Sequence, residues 1–232
     1  MKKNAARKPQ AVLDSKTRIM LVDDHPILRE GVSQRINRES DMVVAAEAKD
    51  AHTALEMARS GKLDVAVVDI ALEGSNGIEL IKDFKVRYPD LPVVVLSMHD
   101  ESLYAERALK AGARGYVMKS EDPSVLVQAI RHVLNGKVHL SERVTAKILN
   151  RMAGEQTTEK ASPLDLLSDR ELQVFDLIGQ GFGTSEISTR LHLSVKTVAT
   201  HRENIKRKLK LSAANELVRF AIPWVRDRAA RA

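Results

Sequence analysis

The sequence predicts an α/β domain on a doubly wound, five-stranded parallel sheet, followed by a small all-α domain. Three observations carry that prediction. Over residues 19–135, short apolar and β-branched runs alternate with helical patterns, as in a parallel sheet covered on both faces. At 154–163 the segment GEQTTEKASP is polar and lacks periodicity, which suits a flexible linker. Beyond it, capping residues mark helix starts with no strand pattern between them.

Ile19–Val22 is the first strand, and Asp23 and Asp24 end it. Pro26 opens a helix to about residue 38, since its missing N–H is not needed in a first turn. Met42–Glu47 is the second strand, followed by a helix over 51–60. Val65–Val68 is a buried third strand ending at Asp69. After a loop with Gly74 and Gly77 a helix runs to about Arg87. Val93–Leu96 is the fourth strand, with Ser97 at its end, and a helix follows over 102–110, stopped by Gly112. Gly115–Met118 is a short fifth strand ending at Lys119. Asp122 and Pro123 start a helix to Leu134, stopped by Asn135 and Gly136, and 141–152 forms one more.

The helical unit begins with a capping box, Ser168 with Glu171 three residues on. Gly179 and Gly181 end that helix. Thr184 caps a short second helix, and Ser194 caps a third starting at Val195. A last helix spans 213–222. The expected division is 17–136, a connecting helix and linker over 137–163, and 164–232.

Composition narrows the function. Apolar residues make up 44% and charged residues 29% of 232, the balance of a globular protein with an ample core. There is no cysteine, so disulfides and cysteine-based zinc sites are excluded and a reducing compartment is expected. No apolar run reaches the roughly 18–20 residues of a membrane span, and the basic N-terminus has no apolar region after it. A cytoplasmic protein that does not bind membranes is the expectation.

The net charge of +6 is uneven: +5 over residues 1–18, −3 over 19–150 and +4 over 151–232. Residues 190–210 hold seven basic side chains and one acid. An acidic body with a basic C-terminal segment fits one task on a small ligand or metal and one on a polyanion.

Ligands of open parallel sheets bind beyond the C-terminal strand ends. Four strand ends here carry Asp23 and Asp24, Asp69, Ser97, and Lys119. A single strand-end Asp is a turn former; three carboxylates, a hydroxyl and a lysine together make a site. Three adjacent carboxylates repel one another, and Mg²⁺ relieves that repulsion through carboxylate, water and phosphate oxygens. An Asp can accept a phosphoryl group, with Lys119 and Ser97 serving its oxygens. No Walker-type or dinucleotide-binding glycine loop follows any strand.

Residues 19–135 resemble the receiver domain of two-component response regulators. The resemblance rests on LVDDHPILREGV, on VAVVDIALEGSNGIEL with Gly77 eight residues after Asp69, on VVVLS, and on YVMKS. It implies a flavodoxin-like sheet in the order 2-1-3-4-5. It makes Asp69 the phospho-acceptor, with Ser97 and Lys119 assisting, and makes a sensor histidine kinase the donor. It also implies that Asp23, Asp24, Asp69 and the Ala71 carbonyl hold Mg²⁺, and that Tyr116 moves inward as Ser97 turns toward phosphate. Ser120 stands where many receivers have proline, and Ala71 where larger polar residues are frequent. His99 is read as a loop histidine without a role.

On the helix starting at Val195, Val198, Ile205 and Leu209 share one face, and Lys196, Thr200, Glu203 and Arg207 the opposite one. A short capped helix followed by a basic amphipathic one outlines a helix-turn-helix; membranes and acidic proteins are the competing partners. LSDRELQVFDLIGQGFGTSEISTRLHLSVKTVATHRENIKRKL resembles the LuxR-type DNA-binding domain, and receiver plus this unit is the NarL/FixJ architecture. That implies a homodimer on double-stranded operator DNA. Lys196, Thr197, Ala199, Thr200 and Glu203 then lie near base edges, Lys206, Arg207 and Lys210 near phosphates, and Leu217 and Ala221 on a helix that pairs protomers. His201 reads as structural. The alternative is a stand-alone Mg²⁺-dependent phosphoryl-transfer enzyme acting through Asp69, which leaves the basic helix unexplained.

Overall fold

The computed structural model describes residues 16–72, 74–153 and 162–229. The basic segment before Lys16 and most of the expected linker lie outside the described residues. Five parallel strands form one sheet: β1 (Thr17–Val22), β2 (Met42–Ala48), β3 (Val65–Val68), β6 (Val93–Ser97) and β7 (Gly115–Met118). Their order is β2-β1-β3-β6-β7, the expected 2-1-3-4-5 with a small insertion in the count. That insertion is a hairpin of β4 (Ala71–Leu72) and β5 (Ser75–Asn76), which the apolar patterning did not signal.

Five helices cover the sheet: α1 (Pro26–Asn37), α2 (Ala51–Ser60), α3 (Gly77–Arg87), α4 (Glu101–Ala111) and α5 (Pro123–Leu134). Successive strand side chains alternate between faces, so the sheet feeds two cores. Met20, Val22, Val68 and Val95 pack with Phe84 and Tyr104 from α3 and α4. Ile19, Leu21, Val67 and Leu96 pack with Ile36 and Ile130 from α1 and α5. Helix starts use short acceptors: Asp50, Asn76, Asp100 and Asp122 each take a backbone N–H two or three residues on. Gly112 stops α4 at φ +120, in the region that favours glycine.

After α5, His139 donates its N–H to Arg114 O at 2.9 Å and accepts from Tyr116 N at 2.9 Å. The chain thereby makes a single bridge beside β7 before α6 (Glu142–Met152).

The helical unit holds a 3₁₀ turn (Pro163–Leu166), α7 (Asp169–Gly179), α8 (Thr184–Arg190), α9 (Val195–Leu209) and α10 (Ala214–Ala229). The capping box is formed: Ser168 Oγ accepts from Glu171 N, and Glu171 Oε2 accepts from Ser168 N at 2.8 Å. Thr184 is not the cap of α8; Gly183 occupies that position and its N–H reaches Glu186 at 2.8 Å. The last helix does not stop at residue 222 but continues through Pro223. Proline deprives it of one backbone hydrogen bond, while Trp224 beyond it packs on the core. Gly179, expected as a helix terminator, is also a crossing point, since a Cβ there would lie 2.7 Å from Ala221 O.

The two units touch. Arg107 on α4 donates to the carbonyls of Leu164 and Leu167, both at 2.8 Å, and pairs with Asp169 at 3.0 Å. Every residue of α7 from Glu171 to Gly179 is buried, because one face packs in its own unit and the other against the receiver-like unit.

Candidate functional site

The parallel sheet gathers the expected residues at one edge. Asp23 follows β1 and is 1% exposed; Asp69 follows β3 and is 3% exposed. Lys119, at the end of β7, reaches both: its Nζ lies 2.7 Å from Asp23 Oδ2 and 2.5 Å from Asp69 Oδ2. Burial raises the Asp69 pKa, and Lys119 only partly opposes it. Burial raises the Asp24 pKa as well, with Asp23 adding and His25 opposing. For Lys119 burial works downward, yet the carboxylates of Asp69 and Asp23 outweigh it and the pKa is raised. The ammonium is therefore held charged against two acids.

The turn after Asp69 depends on glycine. Gly77 donates its N–H to Ile70 O at 2.8 Å, and a Cβ at Gly77 would sit 1.9 Å from the Asp69 carbonyl oxygen. The Ala71 N–H donates to Asp69 Oδ1 at 3.2 Å, fixing the carboxylate's rotamer.

Asp23, Asp24, His25 and Asp69 each offer a ligand atom, all within 4.8 Å of one another. A mainly carboxylate donor set with a single lysine to balance it suits a hard divalent cation such as Mg²⁺. His25 was missed from sequence. It adjoins the acid pair, lies 2.7 Å from Asp24 Oδ1, and donates its backbone N–H to Asp23 Oδ1 at 2.8 Å.

Ser97 is fully buried and its Oγ accepts the His99 N–H at 3.3 Å. Tyr116 is 2% exposed and donates its hydroxyl to His99 O at 2.8 Å. The ring is thus already inside, so the expected inward swing has no outward starting point here. Burial pushes its phenol pKa well up, keeping it a donor. His99 is not an idle loop residue. Its ring stacks on Tyr104 at 4.6 Å, and its Nδ1 lies 3.6 Å from Asp176 Oδ2 on α7.

Two more side chains of α7 reach the rim of the acidic pocket. Gln173 donates its side-chain amide to Ile70 O at 3.3 Å, and Arg170 donates to Ser75 O at 3.2 Å. These contacts join segments about a hundred residues apart, and no spacing rule signals them.

On α9, Val198 and Ile205 are fully buried, while Lys196, Ala199, Thr200, Glu203 and Arg207 are exposed. The face division matches the pattern. Thr200 Oγ1 donates to Lys196 O at 3.0 Å, which ties its hydroxyl back to the helix. Thr197 is partly buried and engaged with the cap, its hydroxyl 2.7 Å from that of Ser194. Lys206 Nζ pairs with Glu203 at 2.8 Å. Arg207 donates to Asn204 Oδ1 at 3.1 Å, and Lys210 ends the helix in the left-handed region at φ +57. His201 is partly buried, and burial lowers its pKa. No helix among the described residues is long and apolar enough to cross a membrane.

Residues 19–131 match the response regulator receiver domain, and 165–221 match the luxR family of bacterial regulatory proteins. The oxygen regulatory protein NreC of Staphylococcus epidermidis is 32% identical over 88% of this chain and 96% of its own length. The transcriptional regulatory protein DegU of Brevibacillus brevis is 32% identical over 94% and 99%. A LuxR-family two-component response regulator from Aurantimonas sp. superimposes with a TM-score of 0.56 at 40% identity, covering 60% of this chain and 99% of that one. The RcsB response regulator of Salmonella typhimurium gives 0.64 at 23% identity over 91% and 98%, a likeness of fold. Similarity along both units favours a regulator over a stand-alone phosphoryl-transfer enzyme. With the strand-end acids, the buried lysine and the exposed basic helix in place, the chain belongs to the NarL/FixJ-type two-component response regulators, DNA-binding transcription regulators that join a receiver to a LuxR-type helix-turn-helix domain.

Proposed function

We propose that a sensor histidine kinase phosphorylates Asp69 in the 17–136 receiver, and that this controls operator binding by the 164–232 domain. The observation that carries the reading is Lys119, buried within 2.7 Å of both Asp23 and Asp69. A lysine in that position neutralises phosphoryl oxygens arriving on Asp69.

The chemistry balances as a phosphoryl transfer. An Asp69 carboxylate oxygen attacks phosphorus, the P–N bond of the kinase phosphohistidine breaks, and the leaving imidazole is protonated. Asp23, Asp24, Asp69 and the Ala71 carbonyl would hold Mg²⁺, which when bound supplies further positive charge to the phosphoryl oxygens. In this reading the protein's own chemistry is self-phosphorylation and autodephosphorylation, in which water attacks the aspartyl phosphate, releases inorganic phosphate and restores the Asp69 carboxylate.

The signal leaves through Ser97. Its hydroxyl, now acceptor to the His99 N–H, turns to a phosphoryl oxygen and frees the 98–100 loop. His99 then loses the geometry that holds Tyr116 on one side and Asp176 on the other. The helical unit is released from the receiver and pairs with a second copy on double-stranded DNA in the cytoplasm. Lys196, Ala199, Thr200 and Glu203 meet base edges, while Lys206, Arg207 and Lys210 meet phosphates. Dimerisation raises affinity through effective concentration.

Incubation with a labelled small phosphodonor and Mg²⁺ tests the acceptor. Label should enter the wild-type chain and not Asp69→Asn, and should fall strongly in Asp24→Asn. Equal labelling of Asp69→Asn would overturn the assignment.

A further inference from the structure

We propose that His132 and His139 form a two-imidazole site for a divalent transition-metal ion of the zinc class, separate from the acidic pocket. His132 lies in the last turn of α5 and His139 in the segment that bridges to β7. Their Nδ1 atoms are 3.0 Å apart, with ring centroids at 5.1 Å. At that distance one nitrogen donates and the other accepts, so a single proton lies between two ring nitrogens. A metal ion in its place needs bonds of about 2.0–2.1 Å. A tetrahedral angle then sets the nitrogens about 3.3 Å apart, an opening of only ~0.3 Å.

The backbones that carry the two rings are fixed on adjacent elements. His132 is fixed by α5, and the backbone of His139 by its bonds to Arg114 O and Tyr116 N, both 2.9 Å. Metal binding requires neutral imidazole. Burial lowers the His139 pKa and His132 lowers it further, both in the direction of the neutral ring. The Glu121 carboxylate acts on His139 in the opposite sense, giving a field that favours a cation. His132 is exposed, which leaves the remaining coordination positions to water. Imidazole nitrogen suits Zn²⁺, Cu²⁺ or Ni²⁺ and not Mg²⁺, so the all-imidazole pair favours a different class of ion from the Asp23, Asp24 and Asp69 carboxylates. A bound ion would tie α5 to the segment paired with the backbone of Tyr116, stiffening the sheet edge beside that residue.

The test is titration of the tag-free full chain with Zn²⁺ by calorimetry, in excess Mg²⁺ to occupy the acidic pocket. Wild type and Asp24→Asn should each bind one Zn²⁺ with equal affinity. His132→Gln, a surface change, should weaken binding by about tenfold or more. Nitrogen NMR of the wild-type chain should show the Nδ1 signals of His132 and His139 shifting before those of other histidines. Undiminished Zn²⁺ binding in His132→Gln, loss of binding in Asp24→Asn, or first shifts at other histidines would overturn the proposal.

Discussion

His99 Nδ1 lies 3.6 Å from Asp176 Oδ2, and the carbonyl of the same histidine takes the Tyr116 hydroxyl at 2.8 Å. One residue therefore touches Tyr116 of the receiver and a buried acid on the first helix of the DNA-binding unit. Its backbone N–H also rests on Ser97 Oγ. Within the proposed mechanism this chain of contacts is the bistable element that phosphate biases.

Removing that contact should mimic part of activation. His99→Ala breaks the link to α7 but leaves Asp69, Ser97 and Lys119 in place. Unphosphorylated His99→Ala should bind operator DNA more tightly than wild type, by about 5- to 150-fold, the range of one coupling free energy. A titration on labelled operator DNA measures it, and unchanged affinity would show that the contact holds nothing back.

Asp69→Asn should stabilise the receiver. Asp69 has a raised pKa in the folded chain, so its contribution to stability is fully present below the unfolded value and lost as pH rises through the folded one. At neutral pH the buried carboxylate is thus a net cost. Replacing it should raise the melting temperature at neutral pH, by about 2–4 °C for each kcal/mol gained, with the gain vanishing in acid. Thermal denaturation at pH 7.5 and at acid pH checks both signs.

Glu171 behaves oppositely. Burial works to raise its pKa, but Lys208 at 2.6 Å and the Ser168 cap outweigh it and the pKa is lowered. The stability it gives is present above the unfolded value and lost as pH falls through the depressed folded one. Ser168→Ala should cost the helical unit about 0.5–2 kcal/mol at neutral pH. Glu171→Gln should cost stability at neutral pH and little in strong acid. Chemical denaturation followed by circular dichroism at the two pH values reads both.

Glu203 is an exposed acid on α9 paired with Lys206 at 2.8 Å, and the proposed binding mode sets it beside DNA phosphates. Glu203→Ala should relax sequence choice at one base pair by about 1–3 kcal/mol. Arg207→Ala should weaken all sequences alike and flatten the salt slope by about one unit. Selection from random DNA distinguishes the two, and an unaltered preferred site in Glu203→Ala would remove its base-reading role.

What the sequence made legible follows from local chemistry. Strand ends at Asp23, Asp69, Ser97 and Lys119 could be read because apolar runs stop there, and a parallel sheet gathers its strand ends at one edge. The Ser168–Glu171 box and the buried face of α9 follow from spacing. The β4–β5 hairpin was not legible, since two-residue strands have no period. His25 was hidden beside the two acids, Asp23 and Asp24, that already filled the candidate metal set. The partnership of His99 with Asp176, and of Gln173 with Ile70, depends on how two units dock, which no local pattern encodes. The expected end of the last helix at residue 222 was too early: Pro223 lies inside it, and Trp224 beyond packs on the core.

The central claim is that a phosphoryl group on Asp69 governs DNA binding, and operator titrations with and without a small phosphodonor and Mg²⁺ test it most directly. Wild type should gain affinity on phosphorylation, while Asp69→Asn should stay folded, keep weak non-specific binding and show no gain. Equal enhancement of both proteins would contradict the account and leave the acidic cluster without its assigned role.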